Sequence, residues 1–237
     1  MKLYDNVIEE ILSLAEQYHP VVLERPERSW KEDEGSVMIL RADMAYELGE
    51  GGMPGTGLTL ITDDPGIVSE DETVLIGKDL SEIAKNTPYA RISVVCVDKE
   101  IPAEGQALYN TVRNLEYTIY HFHPEGFMMR VSASRHKESV RVGKDALKKG
   151  ISFADTAKCM SAGFHRHKEV KAVKMIYITD DSFDYKQLKQ LAERAEAITK
   201  TIDHIALSSK MTDCGVCSLQ KVCDEVEGLR ELHFRKS

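Results

Sequence analysis

Three cysteines fall within ten residues near the end of this 237-residue chain, Cys214, Cys217 and Cys223, and His233 follows them. No other feature constrains the fold as tightly, because whatever precedes them has to deliver three thiols and an imidazole to one place. Two residues separate the first pair, and Gly215 between them permits the tight reversal that lets both sulfurs face one centre. Soft thiolates with one imidazole close a tetrahedron around zinc or hold the corners of an iron-sulfur cluster, and the donor set alone leaves both open. A bare Cys-x-x-Cys would also suit a redox pair, but the third cysteine following so closely favours a metal. Residues 208–237 carry few apolar side chains, so ligation is expected to supply the shape that a hydrophobic core would otherwise give.

Composition narrows the class of protein. Thirty-one basic residues stand against 39 acidic ones, a net charge of −8, so nucleic-acid binding has no electrostatic support. No apolar run is long enough to cross a bilayer, and the N-terminal stretch carries Glu9 and Glu10 where a leader would be basic. The expected compartment is the cytoplasm, with its five cysteines reduced.

Periodicity then orders the chain. Leu3, Val7, Ile8, Ile11, Leu14 and Ala15 predict an amphipathic helix ended by Pro20, followed by a polar, mobile linker around Pro26 and Trp30 in which the sole tryptophan serves as a surface anchor. Val37–Leu40, Leu58–Thr62, Thr73–Ile76 and Arg91–Val97 are strand candidates, the last with Cys96 as a core thiol. Five glycines between Gly49 and Gly57 lack the ending of a phosphate-binding loop and predict a flexible turn. Leu108, Val112, Leu115 and Ile119 predict a helix over Glu104–Tyr120, after which His121 and His123 lack the neighbours of a metal site. Phe127–Ser134 and Ser139–Val142 suggest a hairpin. Ser152–His167 is a helix with Cys159 inward, Val170–Thr179 a strand, and Tyr185–His204 a long helix. The fold class expected is α+β, a mixed sheet flanked by helices with a cysteine-rich C-terminal tail. Its parts are an N-terminal helix and linker (1–35), an α+β domain (36–207) and a Cys3His metal-binding tail (208–237).

The most basic stretch lies along the hairpin. Arg130, Arg135 and Arg141 there form a candidate anion-binding edge, since guanidinium groups bind phosphate and carboxylate bidentately. No nucleophile–base pair or paired carboxylate stands out, so the residues leave open whether the chain is an enzyme.

From about Val74 to Cys223 the chain resembles the middle domain and adjoining cluster segment of the acetyl-CoA synthase, or acetyl-CoA decarbonylase/synthase β subunit, of the carbon monoxide dehydrogenase complex. The residues carrying the likeness are Leu75-Ile76-Gly77-Lys78-Asp79, Asn114-Leu115-Glu116-Tyr117, the Glu125-Gly126 turn, Val140-Arg141-Val142, Lys149-Gly150, Ile178-Thr179-Asp180 and the cysteine segment. The resemblance implies a 4Fe-4S cluster on Cys214, Cys217 and Cys223, with His233 where the family has a fourth cysteine. It also implies a protein partner in one-carbon or redox metabolism and coenzyme A as a ligand; the donor set itself keeps zinc as the alternative to the cluster. The family's second nickel ion uses a downstream Cys-Gly-Cys element that is not among these residues, so the expectation is a relative without the dinickel chemistry. Where the family has a tryptophan beside its coenzyme A site, just after the Glu-Gly turn, this chain has Phe127 or Met128.

Overall fold

The computed structural model describes residues 2–31, 38–98, 105–122, 124–131, 136–207, 217–226, 229 and 232. Its architecture is α+β. A five-stranded mixed sheet comprises β1 (Val21–Val22), β3 (Gly55–Thr62), β4 (Glu72–Ile76), β5 (Tyr89–Val97) and β8 (Val170–Ile178) in the order β1-β4-β8-β5-β3. A second, antiparallel sheet orders β2 (Met44–Leu48), β7 (Glu138–Gly143) and β6 (Phe127–Val131) as β2-β7-β6. Within the larger sheet β3 runs parallel to β5 and β4 parallel to β8, while β5 and β8 are antiparallel. Two parallel units are thus joined back to back.

The helices form where apolar side chains recur every three or four residues and bury one stripe each. In α1 (Asp5–Glu16) the predicted stripe of Val7, Ile8, Ile11, Leu14 and Ala15 is buried. Leu108, Val112, Leu115 and Ile119 are likewise buried along and just beyond α2 (Gly105–Thr118). A short helix, α3 (Lys144–Lys148), follows β7, and α4 (Phe153–Phe164) starts at a capping box in which Ser152 and Asp155 bond each other's backbone. Leu188, Leu191, Ala195 and Ile198 face inward from α5 (Tyr185–Leu207), which packs on α1 and α2.

Strand β5 is buried at all nine positions, yet it contains Arg91. The guanidinium donates from Nε to Glu138 Oε1 (2.9 Å) and from Nη2 to Glu138 Oε2 (2.7 Å), both side chains being 1% exposed. Taking two charges out of water costs several kcal/mol per ion unless each finds its partner, so the pair fixes how the sheets meet more than it adds to stability. Above it Phe153 stacks on Tyr177 with ring centroids 4.5 Å apart and meets Phe127 edge-on at 6.4 Å, filling the space between the sheets.

Several expectations change. Residues 38–40 form no strand; the nearest is β2, which begins four residues after Leu40. The glycine run does turn, at Gly51 and Gly52, but its far end is a close-packed seat: a methyl group at Gly57 would fall inside the Glu138 carboxylate, and one at Gly55 on the Glu138 carbonyl oxygen. Side chains are excluded there because the buried acid needs the room. The described part of the expected linker is tied down as well. Arg28 Nε donates to Asp155 Oδ1 at 3.0 Å, its guanidinium lies over the Trp30 ring, and Trp30 Nε1 donates to the Glu125 carbonyl at 3.0 Å. Burial raises the Asp155 carboxyl, but hydrogen bonds from Arg28 and Ser152 outweigh it and hold the group below its ordinary range.

Candidate functional site

Cys217 and Cys223 are the members of the expected ligand set that fall within the described residues; Cys214 and His233 lie outside them. Cys217 precedes a short helix, α6 (Gln220–Glu225), and its carbonyl accepts from Gln220 N (3.1 Å) in the turn that opens it. Cys223 sits within α6, and both thiols are half-buried and in no disulfide. The body treats its own thiols differently. Cys96 on β5 and Cys159 on α4 are buried, and burial pushes the Cys96 thiol up, with Asp63 and Asp64 adding to the rise.

The tail is not short of apolar contact, contrary to expectation. Leu229 and Leu232 are buried, and Val222, Cys223 and Val226 pack against the main core. The apolar residues Val222, Val226, Leu229 and Leu232 recur at helical spacing, a signal within the sequence that the cysteines overshadow. Packing against the body therefore contributes to the shape of this segment. The donor chemistry still suits a soft metal or cluster: two partly exposed sulfurs lie near one short helix, on a segment anchored by leucines.

The basic hairpin places Arg130 on β6 and Arg141 on β7, and both turn toward Glu47 of β2. Arg141 Nε donates to Glu47 Oε1 at 2.7 Å, and its Nη1 reaches the Ile39 carbonyl at 3.3 Å. Arg130 Nη1 lies 3.6 Å from Glu47 Oε1 and 3.7 Å from Glu50 Oε2. A hydrogen bond from Ser139 holds the Glu50 carboxyl below its usual range, assisted by Lys137 and Arg130. An anion arriving here would share these guanidinium groups with carboxylates already present. Arg135, the third residue of the edge, lies outside the described residues.

Two stretches far apart in sequence meet at the ends of β4 and β8. Thr179 Oγ1 accepts from Lys78 N at 2.7 Å and donates to Lys78 O at 2.8 Å, and Gly77 lies so close to Thr179 and Asp180 that a side chain would collide. Asp79 Oδ1 accepts from Phe153 N at 2.8 Å and caps the 3-10 turn at Leu80–Glu82; burial raises its carboxyl despite these bonds. Leu75–Asp79 and Ile178–Asp180 therefore form one structural joint. A further recess of about 380 Å3 lies at the Glu125-Gly126 turn, lined by Trp30, Lys31, Ile39, Gly126 and Lys149. Phe127 is wholly buried in the aromatic core, so the indole at this turn comes from Trp30, almost a hundred residues upstream.

Residues 33–183 match the family model described as CdhC, the CO dehydrogenase/acetyl-CoA synthase complex beta subunit. The chain belongs to this family. The match spans β2 through β8, including the joint at Lys78 and Thr179 and the Glu125-Gly126 turn, and stops before α5 and the cysteine segment. No curated protein matches the chain. The CdhC match thus covers the second sheet and all of the larger one but β1, with the buried Arg91–Glu138 pair between them. Sequence reading passed over that pair; the one local signal was a charged residue, Arg91, in an otherwise largely apolar strand.

Proposed function

We propose that this CdhC-family chain is an acetyl-CoA synthase-like protein whose tail binds a 4Fe-4S cluster through Cys214, Cys217 and Cys223, with His233 as the fourth ligand. It would act with a protein partner in anaerobic one-carbon metabolism. The observation that carries this reading is the contrast among the cysteines: two are sealed in the core, while Cys217 and Cys223 are held half-exposed on a leucine-anchored segment. Buried thiols are inert packing, whereas accessible ones clustered in sequence are ligands. A bound cluster supplies one-electron transfer, and an imidazole in place of one thiolate would raise its potential by removing negative charge. The chain's own residues position it: Leu229 and Leu232 dock the tail, and the turn at Cys217 starts α6 and sets Cys223 along it.

Anaerobic purification tests this. The expected product is brown, contains iron and acid-labile sulfide in equal amounts, and loses both when Cys217 is replaced by Ser. A colourless protein holding one zinc would overturn it.

A second reading is favoured by one observation, the indole at the Glu125-Gly126 turn. Trp30 there, with Lys31 and Lys149 on the same recess, suits coenzyme A or another anionic ligand carrying an adenine ring, with zinc closing the tail; Arg130, Arg135 and Arg141 are the alternative anion contacts. Trp30→Ala lowers coenzyme A affinity on this reading, and undetectable coenzyme A binding by the unaltered chain removes it.

A further inference from the structure

A cleft of about 330 Å3 opens between α2, α5 and the outer strand β3, and neither tail cysteines nor Arg130 and Arg141 line it. The apolar part of its wall is formed by Leu58 and Leu60 of β3, Val131 of β6 and Ala195 of α5, with the exposed ring of Tyr117 beside them. A volume of this size suits a small organic ligand, and pockets of this kind use apolar walls with a few placed polar groups.

Those polar groups are unevenly satisfied. A guanidinium carries five N–H bonds, and Arg91 spends four of them: two on Glu138, one on Leu58 O (2.9 Å) and one on Ser93 Oγ (2.7 Å). The remaining N–H, on Nη2, has no acceptor among the described residues, although the side chain is 1% exposed and lines the cleft. Tyr120 lines it too, half-buried, and its hydroxyl has no partner among the described residues. Burial, with Glu138 nearby, pushes that phenol up to about 12, so it stays a donor at neutral pH. In an open cleft these donors are served by water, which a ligand oxygen of the right placement can replace.

The acids around the cleft, by contrast, already have cations. Glu138 is held by Arg91, Glu116 by Arg113, and Glu196 by Lys200 at 2.8 Å, with His136 Nε2 in hydrogen-bond contact with its other oxygen at 2.6 Å. What is left over is donors. A ligand cation would meet a buried guanidinium and no unclaimed carboxylate.

We propose that this cleft binds a small amphipathic carboxylate, its apolar body against Leu58, Leu60, Val131 and Ala195 and its oxygens accepting from Arg91 Nη2 and the Tyr120 hydroxyl. Two donors lining one cleft can serve the two oxygens of a carboxylate, and the bond from Arg91 uses an N–H that the Arg91–Glu138 pair leaves over. This site stands apart from the cluster reading of the tail, so either can fail alone.

Titration of the full chain with phenylacetate, followed by protein-observed NMR, tests the proposal. Saturable shifts are expected at Tyr117, Tyr120 and Ala195, with none from phenethylamine, which has the same body and the opposite charge. Tyr120→Phe removes only the hydroxyl and should weaken phenylacetate roughly tenfold, the usual worth of a hydrogen bond to a charged group. Glu193→Ala, on the exposed side of α5, should leave binding unchanged. No saturable binding at millimolar phenylacetate, preference for the amine, or Tyr120→Phe binding as tightly as the parent would each overturn the site. If Tyr120→Phe does not fold, the shift map of the unaltered chain decides, and shifts lying away from the cleft reject the proposal.

Discussion

The body and the tail of this molecule use the same residue types to opposite ends. In the body, cysteine is packing: Cys96 and Cys159 are buried, and the buried Arg91 is paired with the equally buried Glu138. In the tail, cysteine is half-exposed and clustered, and apolar residues are few but well placed, with Leu229 and Leu232 buried against the body. The difference teaches that the body is specified by complementarity between its sheets, while the tail is specified by docking and then, on the reading proposed, by ligation.

The largest effect should come from breaking the body. Glu138→Ala leaves a buried guanidinium without its partner and should cost about 3–5 kcal/mol in chemical denaturation, with or without metal in the tail. A loss below about 1 kcal/mol would mean that water reaches Arg91 and that the body is less tightly specified than described.

Next comes the tail's attachment. Leu229→Ala removes a fully buried side chain, a change worth about 2–5 kcal/mol in a core and toward the low end where a segment can open by itself. Limited proteolysis should then cut the tail while the unfolding midpoint of the body stays in place. Coincident loss of both would show that body and tail are one cooperative unit.

Asp155→Asn should have a smaller effect, on the order of 1–3 kcal/mol, from the hydrogen bonds of Arg28 and Ser152 to a buried carboxylate. Because the folded state holds this acid below its ordinary range, its stabilisation is present above the unfolded carboxylate value and is lost as pH falls through the depressed folded one. The gap in stability between parent and variant should therefore narrow on acidification. A gap that widens would contradict the assignment.

The smallest thermodynamic effect is also the most discriminating. Cys217→Ser should move the stability of the metal-free chain by less than about 0.5 kcal/mol, as for surface positions generally, whereas Cys159→Ser should cost more because it places a hydroxyl in the core. Alkylation of the metal-free chain should label Cys217 and Cys223 first and Cys96 only on unfolding.

Much of the body was legible in the sequence because helices and strands here bury regular stripes: each apolar residue named for α1 and for the helix at 104–120 is buried. What escaped was long-range. Nothing local marks Glu138 as the partner of Arg91, forty-seven positions away, or explains that Gly55 and Gly57 make room for it. Trp30 was legible as an anchor, but its seat on the Glu125 carbonyl depends on the folded path of the chain. In the tail the cysteines were conspicuous, and the helical spacing of Val222, Val226, Leu229 and Leu232 was hidden because charged residues separate them.

The metal content of anaerobically isolated protein tests the central claim most directly. Equal amounts of iron and sulfide, abolished together by Cys217→Ser while the body remains folded, is the predicted result. Stoichiometric zinc without iron, or a chain whose tail is equally ordered and metal-free, would contradict it.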